Sequence, residues 1–326
     1  MTPPFRNTLR FKTLLAWLVL MAFAMTGCAT QPAASISDIA TGPGVVQVPY
    51  RISSSGRILV DVSVNEGPAR PLALDTGATV SVLYEDFAEA ADLNVSDRTR
   101  FVRGLVGQGD RPVIEDVTFH IGPAGFQMDE LVMLETPLIK DEAIGLLGAD
   151  LVSLYVVLFD KETLTASFVP RENIDHEAFA GWNPIPLTLF SDADTDSRLY
   201  FANIDLDGRD IPVLVDTGSN LNFINWKLAT LDEDIQKIER DMIRNGTLQG
   251  ALDNTAVTTA TTFYDLKLGR QNWDEISVVV MGLNALETVA PVNEPMMVAG
   301  AKIFAPHTIA FDLAGLNVYV KPDARP

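Results

Sequence analysis

The stretches PLALDTGAT (residues 71–79) and PVLVDTGSN (residues 212–220) have the same layout within one chain of 326 residues. Each runs from a proline through three apolar residues to Asp-Thr-Gly and a small residue, and the aspartates, Asp75 and Asp216, are 141 residues apart. A single Asp-Thr-Gly is an ordinary turn sequence. Two of them, each after an apolar strand pattern, indicate two equivalent halves.

The match extends without gaps back from the aspartates, so that residues 57–77 align with residues 198–218. This alignment places Arg57 over Arg198 and Gly67 over Gly208. A second pair of segments aligns Gly148 with Gly300 and continues to a shared Phe-Asp pair. Short strand patterns dominate both copies, and a helical pattern follows each triplet, at residues 84–93 and 231–243, the second closed by Asn245-Gly246. The sequence therefore predicts two mainly β halves, residues 45–170 and 184–322, joined by a polar linker over residues 171–183.

The N-terminus has the layout of an export signal. Residues 1–27 combine a basic start with an apolar stretch that is short for a transmembrane helix, and Cys28 follows. This layout resembles a bacterial lipoprotein leader, which implies that Cys28 carries lipid and becomes the mature N-terminus. An uncleaved signal anchor with an incidental thiol is the alternative. Residues 28–44 are small, polar and rich in Pro and Gly, so we expect a flexible tether there.

Charge and cysteine content exclude two classes of protein. The formal net charge is −19. Such an acidic surface repels phosphate backbones, and no run of Lys and Arg offsets it, so nucleic acid is not an expected partner. Cys28 is the only cysteine, which excludes disulfides within the chain.

The paired aspartates suggest a reaction. If the two halves face each other across a pseudo-twofold axis, Asp75 and Asp216 meet at its centre, and two carboxylates that close share one proton. The ionised member can take a proton from water while the protonated member donates to a peptide carbonyl oxygen. Glycine beside each aspartate allows the two backbones to approach closely. The threonine hydroxyls can bond across the axis.

These residues resemble the retropepsin-like and pepsin-like aspartic proteases, in particular bacterial retropepsin-like members. The resemblance covers roughly residues 44–322 and implies two tandem retropepsin-like β-barrel lobes related by pseudo-twofold symmetry. It also implies that Asp75 and Asp216 form the catalytic dyad. The residues that it assigns to support of the active site are Thr76, Gly77, Ala78, Gly148, Thr217, Gly218, Ser219 and Gly300.

The residue after the triplet differs between the two copies, and the candidate flap differs from that of the family. Ala78 follows the first triplet but Ser219 follows the second, and in the family that serine can hydrogen-bond a catalytic carboxylate and lower its pKa. Residues 102–112 contain Gly104, Gly107 and Gly109 where the family places the flap that covers substrate, but they lack the tyrosine of pepsins. An ordinary hairpin is the alternative for this segment. Residues 245–254 are the corresponding candidate for a second flap.

Other motifs are incomplete. Residues 191–197 space three aspartates like the start of a calcium loop but lack its glycine and its closing glutamate, so an exposed acidic turn is the favoured interpretation. Residues 176–180 begin like the zinc-protease helix, but Ala180 stands where the second histidine is needed. We therefore expect neither a metal nor a cofactor.

The sequence thus predicts a monomeric aspartic endopeptidase. Its leader predicts a lipid anchor in the bacterial cell envelope, with the enzyme facing the periplasm. The outer membrane is favoured because Ala29 follows Cys28, where an aspartate would resemble a signal for retention in the inner membrane. Its partners would be the membrane and a protein or peptide substrate of the envelope. One alternative is a binding module of the same fold that holds peptides without cutting them. Another is a structural lipoprotein whose triplets serve only the contact between lobes.

Overall fold

The computed structural model describes residues 33–104, 107–137, 141–192, 197–206, 209–231, 243–249, 255–283, 286 and 293–323. These ranges contain 21 strands and five short helices. The prediction of a mainly β fold is confirmed. The described residues form one compact unit.

The first half consists mostly of antiparallel strands. Its strands are β1 (Val46–Ile52), β2 (Ile58–Val64), β3 (Arg70–Leu74), β4 (Val82–Tyr84), β5 (Val95–Gly104), β6 (Gly107–Ile121), β7 (Ala124–Leu134), β8 (Gly145–Leu147), β9 (Tyr155–Asp160) and β10 (Thr165–Pro170). Its helices are α1 (Ile36–Ile39), α2 (Glu85–Ala90) and α3 (Ala149–Val152). The predicted linker that follows contains two 3-10 turns, Arg171–Asn173 and His176–Phe179.

The second half has a similar order of elements. Its strands are β11 (Asn183–Pro186), β12 (Thr188–Asp192), β13 (Ser197–Leu206), β14 (Arg209–Asp216), β15 (Asn222–Ile224), β16 (Ile243–Gln249), β17 (Thr255–Leu268), β18 (Gln271–Val280), β19 (Met297–Gly300), β20 (Ile309–Asp312) and β21 (Asn317–Val320). Its helices are α4 (Trp226–Ala229) and α5 (Ala301–Phe304).

A sheet shared by both halves holds them together. The strands follow the order β11-β21-β20-β9-β10-β1, and the halves meet where β9 pairs antiparallel with β20. Leu158 lies opposite Ala310 at the centre of that pair. One position to either side, Phe159 lies opposite Ile309, and its ring makes edge contacts with Tyr50 of the first half and Phe311 of the second. The contact between the halves is therefore a continuous, buried sheet.

The same strand crossing occurs in each half. In the first, β3 pairs parallel with β8, β8 antiparallel with β4, and β4 parallel with β7. In the second, β14 pairs parallel with β19, β19 antiparallel with β15, and β15 parallel with β18. Each crossing brings an Asp-Thr-Gly turn next to a strand that ends directly before Gly148 or at Gly300.

The gapless alignment of the two copies is wrong for the strands that precede the triplets. Pro71 pairs with Asp61, whereas Pro212 pairs with Asn203, which is 142 rather than 141 residues beyond Asp61. Burial agrees, because Asp61 and Asn203 are both exposed, whereas Ala202, which the gapless alignment places over Asp61, is buried. The hairpin connection is one residue longer in the first half, and a shift of one residue moves every side chain to the other face of a strand.

The proposed tether is partly folded. The carboxylate of Asp38 in α1 accepts from the backbone N–H of Ser35 at 3.1 Å and from its hydroxyl at 2.6 Å. Ile36 and Ile39 lie on one side of this turn and are buried in a cluster with Trp182. The indole of Trp182 also donates to the carbonyl of Ala34, at 3.2 Å. The prediction of a flexible tether over residues 28–44 is therefore wrong for residues 35–40, because two isoleucines anchor them.

Two other expectations concern helices. The pattern over residues 84–93 forms α2, but most of residues 231–243 lies outside the described residues. Asn245 and Gly246 do not end a helix as predicted, since both lie within β16, where Gly246 pairs with Thr258. Within the described ranges, no helix is long and apolar enough to cross a membrane.

The shared sheet generates a prediction about stability. Phe159→Ala should lower the free energy of unfolding by about 3–5 kcal/mol, because it removes a buried ring that contacts both halves. Leu154→Ala is the control, since Leu154 is exposed and its change should stay within about 0.5 kcal/mol. Urea denaturation of both variants measures the difference. Equal effects would show that Phe159 does not join the halves.

Candidate active site

The two predicted catalytic residues follow the two crossings described above. Asp75 comes directly after β3, and its backbone N–H donates to the carbonyl of Leu147 at 2.9 Å. Asp216 ends β14 and lies opposite Gly300 in the parallel ladder. Both aspartates are almost completely buried, with 7% and 8% of their surface exposed. Local sequence alone places each carboxyl at a strand end, and the crossing then aims it towards the other half.

The structure brings Asp75 and Asp216 together. Their carboxyl groups lie close enough for each to influence the pKa of the other. Gly77 and Gly218 create the space for this contact, because each lies against the carboxyl of the opposite half. A Cβ at Gly77 would be 2.6 Å from Cγ of Asp216, and a Cβ at Gly218 would be 2.0 Å from Oδ2 of Asp75. Glycine is thus required at both positions by close approach.

Thr76 and Thr217 lock the two turns across the axis. The hydroxyl of Thr76 donates to the carbonyl of Val215 at 2.7 Å and accepts from the backbone N–H of Thr217 at 3.2 Å. The hydroxyl of Thr217 donates to the carbonyl of Leu74 at 2.9 Å and accepts from the N–H of Thr76 at 3.1 Å. All four bonds are buried, where leaving any of these groups unpaired is costly. The predicted bonds across the axis are therefore present in the structure.

Each carboxylate also receives two backbone N–H groups from its own turn. Gly77 and Ala78 donate to Oδ1 of Asp75, both at 2.9 Å. Gly218 and Ser219 donate to Oδ1 of Asp216, both at 3.1 Å. Hydrogen bonds of this kind favour the ionised form of a carboxyl group.

The side chain of Ser219 has a different role from the expected one. Its hydroxyl donates to the carbonyl of Leu221 at 2.8 Å and accepts from the N–H of the same residue at 3.3 Å. Ser219 therefore favours ionisation of Asp216 through its backbone N–H, and its hydroxyl instead holds the turn that follows the triplet.

Burial and proximity set the charge state of the pair. Burial raises the pKa of Asp75, opposed by the N–H groups of Ala78 and Gly77 and by the positive charge of Arg57. Burial also raises the pKa of Asp216 well above its usual range, and the charge of Asp75 raises it further. Two such groups titrate as a unit that holds one proton over a wide range of pH. The pair can therefore accept one proton and donate another at the same time.

Gly148 and Gly300 support the two turns as predicted. A Cβ at Gly148 would lie 2.5 Å from the backbone of Val80, and a Cβ at Gly300 would lie 2.3 Å from the carbonyl oxygen of Leu221. The next residues, Ala149 and Ala301, donate backbone hydrogen bonds back to the turns, both at 2.8 Å. A side chain at either glycine would push the turn out of place.

Two polar residues that the sequence analysis missed complete this support. The hydroxyl of Ser81 accepts from the N–H of Gly148 at 2.9 Å, and Oδ1 of Asn222 accepts from the N–H of Gly300 at 2.8 Å. Asp150 holds Ser81 in place through its N–H and its hydroxyl. The sequence contains a signal for Ser81 and Asn222, since each is a polar residue within an apolar run, at the same distance after its aspartate.

A buried ion pair beside Asp75 was also missed. Arg57 donates from Nε and Nη2 to the two carboxylate oxygens of Asp141, at 2.8 and 2.5 Å, and its Nη1 lies 3.5 Å from the hydroxyl of Tyr84. The side chains of Arg57 and Asp141 are only 12% and 4% exposed. Sequence spacing gives no signal for this pair, because 84 residues separate its members.

The flap candidates form hairpins. Gly104 lies opposite Gly107, and Val102 opposite Gly109, where β5 pairs with β6. Residues 105 and 106 lie outside the described residues, as do residues 250–254 between β16 and β17. The role of either hairpin as a flap stays a prediction. Of the three aspartates in the calcium-like turn, Asp192 ends β12, whereas Asp194 and Asp196 lie outside the described residues.

A cavity of about 610 Å³ lies in the first half. Tyr84 and Asp141, both partners of Arg57, form part of its wall together with apolar residues such as Phe87 and Ile144. Neither Asp75 nor Asp216 lines it.

Comparisons with known proteins find similarity in part of the sequence and in the fold. A family model described as aspartyl protease matches residues 60–151, which include Asp75 and Gly148. A search of curated proteins finds no significant match. The match to the family model lies within the first half of the chain, and it shows that this half is similar to aspartyl proteases.

Solved structures show the fold alone. Conglutin gamma, a basic 7S globulin from lupine seeds, is similar with a TM-score of 0.50 and 11% identity over 87% of this chain and 96% of that one. The basic 7S globulin from soybean has a TM-score of 0.42 and 12% identity, covering 85% and 94%. An aspartic proteinase from Irpex lacteus has a TM-score of 0.47 and 13% identity, covering 85% and 97%.

The bonds across the axis generate a stability prediction. Thr217→Val should lower the free energy of unfolding by about 2–6 kcal/mol, because it leaves the carbonyl of Leu74 and the N–H of Thr76 unpaired in a buried site. Thr217→Ser keeps the hydroxyl and should lose much less. Urea denaturation of the two variants compares them. A serine variant as unstable as the valine variant would contradict the role of the hydroxyl.

The pKa of Asp216 generates a prediction about pH. A carboxyl whose pKa is raised by folding contributes stability below its unfolded pKa and loses that contribution as the pH rises through the folded pKa. Asp216→Asn should therefore be more stable than the wild type at pH 7, and this advantage should shrink as the pH falls towards 4. Unfolding free energies across this range measure it. Asp61→Asn, which changes an exposed carboxylate, is the control.

Proposed function

We propose that this chain is an aspartic endopeptidase, with Asp75 and Asp216 as its catalytic dyad. The observation that carries the proposal is the close approach of two buried carboxyls, each of which lies against the glycine of the opposite triplet. The hydrogen bonds of Thr76 and Thr217 across the axis support it, because they fix the distance between the carboxyls.

The proposed reaction needs no group beyond the dyad and water. The ionised carboxylate takes a proton from a water molecule, and the oxygen of that water forms a bond to the peptide carbonyl carbon. The protonated carboxyl gives its proton to the carbonyl oxygen. The tetrahedral species then collapses: the C–N bond breaks, the amine nitrogen receives a proton from the dyad, and one hydroxyl of the tetrahedral carbon returns a proton to the dyad, which leaves a carboxylic acid and an amine as products. The dyad ends with the single proton with which it began.

Substrate would lie extended between the two halves. The hairpin formed by β5 and β6 offers backbone for pairing with a peptide, by addition of a strand. Phe101 on this hairpin is 50% exposed and carries the guanidinium of Arg103 over its ring, at 5.2 Å. We propose that this hairpin acts as the flap and contacts side chains of the substrate.

We also propose a place for this activity. The leader over residues 1–27 and Cys28 support a lipid anchor in a bacterial cell envelope, with the enzyme facing the periplasm and the outer membrane favoured. Its substrates would be proteins or peptides of the envelope. Because both triplets are present in one chain, the proposed enzyme works as a monomer.

The test compares the wild type with two dyad variants. A soluble form that begins after Cys28 retains every described contact and is incubated with a diverse peptide pool from about pH 4 to pH 8. Asp75→Asn and Asp216→Asn should each lower kcat/KM by about 10²–10⁴-fold, because each removes an acid–base group. Mass spectrometry of the products measures cleavage. Asp61→Asn should cleave like the wild type.

The outcomes separate the proposal from its alternatives. Cleavage by Asp75→Asn at the rate of the wild type would contradict the dyad. A folded wild type that cleaves nothing, but binds a pepstatin-type inhibitor, would instead favour a peptide-binding module of the same fold. A wild type that neither cleaves nor binds would favour a structural role for the two turns.

A further inference from the structure

The strand crossings and turns around the dyad are alike in the two halves, but the charged residues near the two aspartates are not. In the first half, the ladder between β2 and β3 ends where Leu59 pairs with Ala73, and Arg57 and Asp75 lie two residues beyond this pair. In the second half, the ladder between β13 and β14 ends where Phe201 pairs with Leu214, and the equivalent residues are Leu199 and Asp216. The one-residue difference in register thus puts an arginine at this position in the first half and a leucine in the second, and the charge of Arg57 acts on Asp75. Arg198, the expected counterpart of Arg57, is exposed.

Arg57 is held rigidly. Its two hydrogen bonds to Asp141 fix the plane of the guanidinium, and Asp141 is itself held by the hydroxyl of Ser55, at 2.9 Å, and the N–H of Ala143, at 3.1 Å. A guanidinium keeps its charge at every pH at which proteins fold. Leu199, by contrast, is buried in an apolar cluster and offers no charge.

We propose that Arg57 decides which aspartate carries the shared proton. Its buried cation keeps Asp75 ionised and leaves the proton on Asp216. The roles that follow rest on the proposed function: Asp75 is the base that receives the proton of water, and Asp216 is the acid that protonates the carbonyl oxygen. Arg57 is a positioning residue, since it acts through Asp75.

The electrostatic surroundings agree with this assignment. The positive charge of Arg57 opposes the rise that burial causes in the pKa of Asp75, whereas the neighbouring charge that acts on Asp216 is that of Asp75, which raises its pKa further. The titratable and charged groups around this corner of the site are Arg57, Asp75, Tyr84, Asp141, Asp150 and Asp216. Asp141 offsets part of the charge of Arg57, so the test of the effect on Asp75 changes both members of this ion pair.

The direct test is an NMR titration that needs no turnover. The soluble form is labelled with ¹³C at aspartate side chains, and Asp75→Asn and Asp216→Asn assign the two signals. In the wild type, Asp75 should lose its proton at the lower pH. Arg57→Gln should raise that apparent pKa by about one pH unit or more, because an opposite charge close by is removed. Arg57→Lys should restore most of the shift. Arg51→Gln, an exposed arginine on β1 paired with Asp61, is the matched control.

Second variants keep the test decisive if Arg57→Gln does not fold with Asp141 left unpaired. Arg57→Gln combined with Asp141→Asn removes both charges and should also raise the lower pKa. Asp141→Asn alone should lower it, since Arg57 is then no longer offset. Titration of Asp216 before Asp75 in the wild type, or a lower pKa that is the same in all folded variants, would overturn the proposal. These results do not depend on cleavage, so failure of the proposed function is seen separately.

Discussion

Two carboxyl groups buried against each other are the constraint on which this structure depends. Leaving Asp75 and Asp216 so close in a site with little water raises the free energy of the folded state. The fold compensates with four backbone N–H groups aimed at the carboxylates and four hydrogen bonds between the threonines and the opposite strands. The shared sheet, with Phe159 at its centre, then keeps the two halves from separating.

The two halves reach the same backbone geometry with different side chains. The backbone N–H groups of Gly148 and Gly300 are buried and therefore need a hydrogen-bond acceptor. Ser81 is the acceptor in the first half, and Asn222 is the acceptor in the second. Ser81 is shorter and needs Asp150 to orient it. The counterpart of Asp150 by distance from the paired glycines is Lys302. The requirement is therefore a hydrogen-bond acceptor at one point in space, and the residue type is free to vary.

Symmetry of the frame does not produce symmetry of charge. A single residue in the length of one hairpin shifts β13 by one position relative to β2, so that Leu199, and not Arg198, is equivalent to Arg57. The proposed reaction needs one base and one acid from two identical side chains. A difference in register is a simple way to obtain both from two similar halves.

The sequence by itself predicted the mainly β class, the two halves, the pair Asp75 and Asp216, and the supporting threonines and glycines. It could do so because each of these depends on a short local pattern: an apolar strand, a turn, and a glycine where another chain approaches. Only the tertiary structure revealed that the charge of Arg57 acts on Asp75, that the hydroxyl of Ser219 bonds Leu221, and that α1 packs on Trp182. These depend on the register of a ladder and on contacts between residues far apart in the chain, and no local pattern encodes either.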